Sequence, residues 1–468
     1  MDEVSNPSNR KRPHAVAIAL PVQGHINPMM QLATKMASRG CIVTLVNLQS
    51  NHRRLVEASD PVKNIRFESV PDRVPVDVAS MAIFGSTENR KTFRKAYEAM
   101  EEDVMELLQN KLLQSDCPVS FIIGDVYLNW VVRVADAVGL PRLLFSTTCA
   151  SSLLVDHWIP RLLETGEIPI ETGMDKEVLA NLPGMPRPLR KADLPFYFTS
   201  RLSTPDSFSR RYAKAKSLRD CDGILINSAD FLEPGAFKAL QSEVNSNTIG
   251  VGPLLDTAGK STTNAAWVAD AKCLDWLNGR EEKSVLYVSF GSLATLPCEQ
   301  VLEMAEGIKQ CGYSVLWVLR PNLLGSTGED SQESLKTVLE EIEASGKACL
   351  VDWAPQLQVL AHAAVGGFLS HCGWNSVLEA VWFGIPVLAW PQIVEQSLVA
   401  RIACGEWKVG MRVPVLEGGG GVIDRTRISQ CIDGFMMEGE LGRNCRALQM
   451  VVKASDGLPC LNSFFYFV

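Results

Sequence analysis

The segment HCGWNS, residues 371–376, combines residue types that bind phosphate. It follows the apolar strand pattern GGFLS and opens the helical pattern VLEAVWFG. The first N–H groups of a helix lack internal partners and carry part of the helix dipole, so an anion is stabilised there. His371 stands at this junction, Asn375 and Ser376 add side-chain donors, and Gly373 lets a phosphate approach the backbone. Glu379, one turn later, is placed to bind a pair of ribose hydroxyls. The alternative interpretation is an ordinary strand–helix unit whose tryptophan belongs to the core.

A second group of candidate residues follows strand patterns in the N-terminal half. His25 lies in PVQGHINP, directly after the first apolar strand pattern, where ligands of open α/β sheets bind. An imidazole that titrates near neutrality suits removal of a proton from a hydroxyl. Asp125 ends the strand pattern FIIGD at the same kind of edge. Each residue has a structural alternative, because His25 could cap a helix from a loop and Asp125 could be a helix N-cap.

Strand and helix patterns alternate along the chain in two series. The first contains AVAIAL, CIVTLVN, SFIIGD, LPRLLFST and GILINS, and the second contains SVLYVSFGS, YSVLWVLR, KACLVDW, GGFLS and PVLAWP. Such alternation predicts doubly wound parallel sheets. A segment rich in Gly, Ser and Thr separates the series and predicts a linker. We therefore expect an α/β protein of two doubly wound Rossmann-like domains that face each other across a cleft. Their predicted bounds are 1–250 and 266–450, with a linker over 251–265 and a tail over 451–468.

Composition excludes several classes of function. The chain has 468 residues, of which 46% are hydrophobic and 21% charged, as in globular proteins with real cores. A net charge of −8 argues against a nucleic acid or an anionic membrane surface as a partner. The 13 cysteines are scattered and odd in number, with no C-x-x-C pair, which favours reduced thiols in the cytoplasm over a metal cluster or a disulfide framework. No apolar run reaches the roughly 18 residues of a membrane helix.

Residues 353–396 resemble the signature box of the plant family 1 UDP-dependent glycosyltransferases of secondary metabolism. The likeness is carried by many positions rather than by one glycine motif. The matching residues are Trp353, Pro355, Gln356, His362, Gly367, Phe368, His371, Gly373, Trp374, Asn375, Ser376, Glu379, Gly384, Pro386, Pro391 and Gln396. The resemblance implies the GT-B architecture and inverting transfer of a sugar, with His25 as the general base and Asp125 orienting it.

The resemblance also assigns the donor-binding residues. It implies that Trp353 stacks on uracil, that the Ala354 backbone reads the edge of the base, and that Gln356 and Glu379 reach the ribose. The diphosphate would be bound by residues at strand and helix ends: Ser292, His371, Gly373, Asn375 and Ser376. Trp374, Glu395 and Gln396 would bind the sugar, and Gln396 goes with glucose as the donor sugar in this family. The expected partners are a UDP-sugar and a small-molecule acceptor, with no metal or cofactor, in a monomeric protein.

Three features depart from the family pattern. Val399 stands where the family usually has Asn, and Glu395 stands where Asp is commoner, so an altered sugar pocket is one expectation. The tail KASDGLPCLNSFFYFV is short and lacks the family's Gly-Gly-Ser-Ser pattern. In the family the tail returns to brace the first domain, and the same is expected here.

Two alternative functions can be compared with the sequence. A catalytically impaired homologue that binds a UDP-sugar without turnover is favoured by the atypical tail and disfavoured by the intact His25 and Asp125. A nicotinamide-dependent oxidoreductase would need G-x-G-x-x-G after the first strand, where the chain has PVQGHINP instead. The acceptor stays open among flavonoids, other phenolics, terpenoids and hormone-like acids.

Overall fold

A computed structural model describes most of the chain. The described residues are 12–58, 62–74, 83, 86–171, 177–179, 181–199, 204–255, 272–324, 329–414 and 421–455. The predicted linker is described only as far as residue 255 and the predicted tail only as far as residue 455. The predicted return of the tail to the first domain therefore lies outside the described residues.

The N-terminal half forms a parallel sheet of seven strands in the order β3-β2-β1-β4-β5-β6-β7. The strands are β1 (His14–Ile18), β2 (Ile42–Leu48), β3 (Ile65–Val70), β4 (Phe121–Asp125), β5 (Arg142–Ser146), β6 (Gly223–Ile226) and β7 (Thr248–Gly250). The helices are α1 (Gln23–Ser38), α2 (Gln49–Ala58), α3 (Thr87–Glu98), α4 (Met100–Leu107), α5 (Trp130–Val138), α6 (Ala150–His157), α7 (Ile159–Glu164), α8 (Pro205–Asp220) and α9 (Pro234–Glu243).

The C-terminal half forms a second parallel sheet, of six strands in the order β10-β9-β8-β11-β12-β13. The strands are β8 (Val285–Ser289), β9 (Ser314–Val318), β10 (Ala348–Val351), β11 (Val365–Ser370), β12 (Val387–Ala389) and β13 (Gly410–Arg412). The helices are α10 (Lys272–Asn278), α11 (Cys298–Gln310), α12 (Glu329–Ala344), α13 (Gln356–Ala361), α14 (Trp374–Phe383), α15 (Gln396–Arg401), α16 (Arg425–Met437) and α17 (Gly439–Ala454).

The order of the strands reverses at one place in each sheet, between β1 and β4 and between β8 and β11. Helices cover both faces of such sheets, which is why every residue of β1, β4, β6 and β8 is buried. The loops that leave the carboxyl ends of two diverging strands enclose a crevice, where ligands of doubly wound sheets bind. Two doubly wound parallel sheets confirm the predicted fold class.

Local structure differs from the prediction in a few places. The pattern NPMMQLATKMASRG predicts a helix that starts at residue 27, but α1 begins at Gln23, so His25 lies in its first turn and Pro28 lies inside the helix. Strands β3, β7 and β13 were not predicted, because two of them have only three residues and β3 is only partly buried. The acidic run of Glu101, Glu102 and Asp103 in an amphipathic helix pattern predicts a solvated face, but Asp103 is 7% exposed and accepts two hydrogen bonds from Arg73.

Candidate active site

His25 and Asp125 meet at the carboxyl ends of β1 and β4, the point where the first sheet reverses its order. Nδ1 of His25 lies 2.7 Å from Oδ2 of Asp125, whose side chain is fully buried. The second carboxylate oxygen accepts the backbone N–H of Tyr127 at 3.0 Å, so the carboxylate is held by two bonds. Since a carboxylate only accepts, the imidazole proton belongs on Nδ1, and Nε2 keeps a free lone pair. The pair therefore has the arrangement of a general base with a fixed tautomer.

Thr147 completes the surroundings of the imidazole and was not found from the sequence. Its hydroxyl oxygen lies 3.0 Å from Nδ1 of His25, on the loop after β5. Tyr127 meets the imidazole ring edge-on, with ring centroids 5.4 Å apart. The His25 side chain keeps 17% of its surface exposed, which leaves Nε2 open to a substrate hydroxyl.

The predicted phosphate-binding segment lies opposite His25 at the end of β11. Asn375 donates from Nδ2 to the backbone oxygen of Gly24 at 2.8 Å, and its Oδ1 accepts from Nδ2 of Asn227 at 3.2 Å. One amide hydrogen of Asn375 and the backbone N–H groups of the first turn of α14 remain for an anion. The two halves of the chain thus place the predicted base and the predicted phosphate site at one cleft.

The side chain of Trp374 is committed to the contact between the two halves. The residue is 2% exposed, and its indole N–H donates to the backbone oxygen of Asn227 at 2.6 Å. The indole is therefore not available to a sugar hydroxyl, and only the backbone N–H of Trp374 could bind one. Asn227 also accepts the backbone N–H of Leu254 at 2.8 Å. In the sequence, nothing marks Asn227 beyond its place just after the strand pattern that forms β6.

His371 is enclosed by two glycines. A Cβ atom on Gly291 or on Gly373 would lie 2.4 or 2.5 Å from Nε2 of His371, so neither position accommodates a side chain without displacing the imidazole. Nδ1 of His371 has no hydrogen-bond partner among the described residues. Burial, with the charge of Arg320 as a second cause, lowers the pKa of His371 to about 4. The imidazole is therefore neutral at physiological pH.

Arg320 supports the loop that follows β8. Its guanidinium donates to the backbone oxygens of Ser292 at 3.0 Å and of Ala294 at 2.8 Å. Burial lowers the pKa of Arg320 to about 10. Ser292, predicted to contact a phosphate, is thus held beside His371 by an arginine that the sequence did not single out.

The residues predicted to bind ribose form one hydrogen-bonded network. Nε2 of Gln356 donates to Oε2 of Glu379 at 2.6 Å and to the hydroxyl of Ser376 at 3.1 Å. Its Oε1 accepts the hydroxyl of Tyr287 at 3.1 Å. Burial raises the pKa of Glu379 to about 7. Trp353 and Ala354 directly precede α13, where Trp353 is partly exposed and Ala354 is 6% exposed.

Comparison with known proteins identifies the family. Residues 258–411 match the family described as UDP-glucoronosyl and UDP-glucosyl transferase. The chain is 32% identical over 464 residues to UDP-glycosyltransferase 85A1 of Arabidopsis thaliana, covering 94% of this chain and 90% of the relative. It is also 32% identical to the (R)-mandelonitrile beta-glucosyltransferase of Prunus dulcis, covering 96% and 94%. The chain belongs to the plant family 1 UDP-glycosyltransferases.

Solved structures of the family share the fold. Phytolacca americana UGT2, complexed with UDP-2fluoro-glucose and pterostilbene, superposes with a TM-score of 0.79 at 27% identity, covering 97% of this chain and 99% of that one. Medicago truncatula UGT71G1, complexed with UDP-glucose, gives 0.79 at 26% identity, covering 95% and 94%. The GT-B architecture predicted from the sequence is confirmed, and this glycosyltransferase is an enzyme.

In this glycosyltransferase, Glu395 and Gln396, two of the three residues predicted to bind the donor sugar, lie in the turn that begins α15. Oε1 of Gln396 accepts the backbone N–H groups of Gln392 and Ile393, both at 2.9 Å, so only its amide NH₂ is left for a ligand. Glu395 is 9% exposed, and burial raises its pKa. Val399, expected to alter the sugar pocket, is fully buried in the core of the second half and does not reach a ligand directly.

Further findings concern only the described part of the chain. None of its helices is long and apolar enough to cross a membrane. It contains no group of three or more His, Cys, Asp or Glu side chains arranged to hold a metal ion. Its cysteines are all free thiols.

Proposed function

We propose that this glycosyltransferase transfers glucose from UDP-glucose, with inversion, to a hydroxyl or carboxyl group of a small apolar acceptor. The observation that carries the proposal is the His25–Asp125 pair at the ends of β1 and β4, with Nδ1 and Oδ2 2.7 Å apart, beside the cleft between the two halves. This pair lies across the cleft from residues 371–376, at the start of α14. No metal or cofactor is needed for the steps that follow.

The acceptor is activated by His25. Nε2 takes the proton of the acceptor hydroxyl as its oxygen attacks the anomeric carbon of the sugar. Asp125 stabilises the imidazolium that forms, because its carboxylate accepts from Nδ1. The new bond joins the acceptor oxygen to the anomeric carbon, and the bond from that carbon to the diphosphate breaks. Attack from the side opposite the diphosphate inverts the configuration.

The diphosphate leaving group gains charge during this step. Ser376, the remaining amide hydrogen of Asn375 and the backbone N–H groups of the first turn of α14 provide fixed donors for that charge. Ser292 and the neutral His371 lie on the neighbouring loops. We assign the uracil to Trp353 and Ala354, and the ribose to Gln356 and Glu379.

Glucose is proposed as the sugar because of Glu395 and Gln396. The free NH₂ of Gln396 would donate to one hydroxyl, and Glu395 would accept from the neighbouring ones. Relatives support this choice, since one of them is named a beta-glucosyltransferase acting on (R)-mandelonitrile and another a 7-deoxyloganetin glucosyltransferase. Both of these names indicate small acceptors.

The proposal is tested by incubating the purified enzyme with UDP-glucose and a panel of phenolic, terpenoid and carboxylic acceptors. Release of UDP should accompany formation of a glucoside, and the anomeric proton in its NMR spectrum should show the β configuration. Binding of UDP-glucose without release of UDP for any acceptor would contradict the proposal. That result would favour the catalytically impaired homologue, although the intact hydrogen bond between His25 and Asp125 argues against it.

A further inference from the structure

Two buried ionisable side chains and a partly buried one lie close to His25, and the proposed mechanism uses none of them. Asp156, in α6, is fully buried and forms an ion pair with Lys214, in α8, whose side chain is 4% exposed. Arg211, one turn earlier in α8, places one guanidinium nitrogen 3.4 Å from the other oxygen of Asp156. Removing charges from water is costly even when they are paired. Stability alone is therefore a poor explanation for a cluster of this kind.

Two tyrosines connect this cluster to the catalytic pair. Nζ of Lys214 lies 4.4 Å from the ring centroid of Tyr127, and the same ring meets the His25 ring with centroids 5.4 Å apart. The distance from Nζ of Lys214 to the imidazole centroid of His25 is therefore at most the sum of these two distances. The guanidinium of Arg211 lies over the ring of Tyr197. The cluster thus stands one aromatic side chain away from the general base.

The cluster faces the cleft between the two halves. The backbone N–H of Phe196 donates to the oxygen of Val394 at 2.8 Å, which holds Tyr197 against the turn that carries Glu395. Burial raises the pKa of Glu395, whereas the positive charges of His25, Lys214 and Arg211 act in the opposite direction. The cluster and His25 are therefore near enough to the carboxyl that we assign to the sugar for their charges to act on it.

The charges in this cluster do not balance. Lys214 and Arg211 share the single carboxylate of Asp156, and Glu395 is a weak source of a second negative charge because its burial favours the protonated form. A guanidinium has five N–H donors. The guanidinium of Arg211 makes one hydrogen bond to the described residues, and Asp156 accepts it. The Arg211 side chain is 19% exposed. The guanidinium of Arg211 thus keeps donors that no described residue accepts, on a side chain that is partly exposed.

We propose that Arg211 and Lys214 bind a carboxylate of the acceptor, so that the enzyme prefers acceptors that carry an acid group in addition to the reacting hydroxyl. This inference rests on the proposed function. The acid group would be bound on the far side of Tyr127, while the hydroxyl lies at Nε2 of His25. A planar hydroxy acid, with the two groups at opposite ends of one ring, has the shape that this arrangement requires.

The test compares meta- and para-hydroxybenzoate with the corresponding hydroxybenzamides, which have the same shape without the charge. The kcat/KM for UDP release at saturating UDP-glucose should be about 10-fold or more higher for an acid than for its amide, as charge-assisted hydrogen bonds imply. Arg211→Gln and Lys214→Met should each reduce this acid-to-amide ratio about 10-fold. The ratio is measured within one preparation, so a variant that folds incompletely does not distort it.

Arg210→Gln is the matched control, because Arg210 neighbours Arg211 in α8 but pairs with Asp206 at the surface. It should leave the ratio unchanged. Equal kcat/KM for acid and amide in the unaltered enzyme would overturn the inference while leaving glucosyl transfer intact. A product labile to hydroxylamine would also overturn it, since an acyl glucoside means that the carboxylate lies at His25. Absence of UDP release with every acceptor would count against the proposed function itself.

Discussion

Asn375 donates a hydrogen bond to the backbone oxygen of Gly24, 2.8 Å away and one residue before His25. The donor lies in the first turn of α14 and the acceptor in the first turn of α1, so the bond joins the helix starts of the two doubly wound sheets. Asn227 adds a second bond to the same amide at 3.2 Å. The distance between the proposed base and the proposed diphosphate site is therefore fixed by direct contacts rather than by the linker.

Replacing His25 should abolish most of the activity without loss of the donor site. His25→Ala removes the group that takes the acceptor proton, so turnover should fall about 10²–10⁴-fold. The affinity for UDP, measured by calorimetry, should stay close to that of the unaltered enzyme, because the nucleotide is assigned to the other half of the chain. His52→Ala, a histidine in α2, serves as the control and should keep full activity. Unaltered turnover in His25→Ala would contradict the assignment of His25 as the general base.

Asp125 and Thr147 are predicted to act through His25. In Asp125→Asn, the amide can donate to Nδ1, which moves the imidazole proton to Nε2 and removes the base. Turnover should fall strongly, and the double variant with His25→Ala should be little worse than His25→Ala alone, because the residues act as a unit. Thr147→Val removes a weaker contact, so its loss should be about 10-fold or less. Additive losses in the double variant would show that the two residues act independently.

Gly291 is predicted to be essential for the position of His371. Its φ of +67° is unfavourable for other residues, and an added Cβ would lie 2.4 Å from Nε2 of His371. Gly291→Ala should lower the free energy of unfolding by about 1–2 kcal/mol and weaken UDP binding, because the imidazole must move. Gly434→Ala is the control, since no atom lies within 4 Å of the added Cβ. Thermal unfolding measures the stability of both variants, and calorimetry measures their affinity for UDP. Equal stability and equal affinity in the two variants would contradict the prediction.

The fold could be predicted because its strands are buried on both faces and therefore read as continuous apolar runs. The three missed strands lack that signal: β7 and β13 have three residues each, and β3 is mostly half-buried, with only Val70 fully buried. Helix α1 starts earlier than predicted because PVQGH contains no side-chain cap that marks the boundary; its N-cap is Val22, which makes no side-chain hydrogen bond.

The candidate site could be predicted only where a residue's own place in the sequence pattern marks it. His25, Asp125 and the segment 371–376 stand at strand ends, which a pattern of strands reveals. Thr147 and Asn227 also follow strands, but their roles depend on partners 122 and 148 residues away, His25 and Asn375. The indole of Trp374 shows the same limit, because its burial against Asn227 follows from the contact between the sheets.

Val399 offers a test of the donor prediction. Val399 stands where the family usually has Asn, which predicts an altered sugar pocket, but its side chain is fully buried among apolar residues. Val399→Asn should therefore lose about 2 kcal/mol or more of unfolding free energy, because an amide is buried without designed partners. Its donor preference should remain. Competition among UDP-glucose, UDP-galactose, UDP-xylose and UDP-glucuronate at equal concentration measures that preference, and a switch of donor would contradict the structural reading.

The buried carboxyl of Glu379 predicts how stability depends on pH. Burial raises its pKa to about 7, above its ordinary value near 4.5. The folded state then binds the proton more tightly than the unfolded state, so the group's contribution to stability is fully present below pH 4.5 and is lost as the pH rises to 7. The loss is at most about 3 kcal/mol, and less to the extent that the carboxyl is accessible to solvent.

Glu379→Gln should remove this dependence. The amide stays neutral, so the variant should become more stable than the unaltered protein above pH 7 and should match it more closely below pH 5. The lowered pKa of His371 acts in the opposite direction between pH 4 and 6.5, but it is common to both proteins and cancels in their difference. Thermal unfolding temperatures measured across this range give that difference directly. The same variant should weaken UDP binding above pH 7, where the ionised carboxylate is the better acceptor for ribose hydroxyls. A difference in unfolding temperature that does not change with pH would mean that Glu379 titrates at its ordinary value.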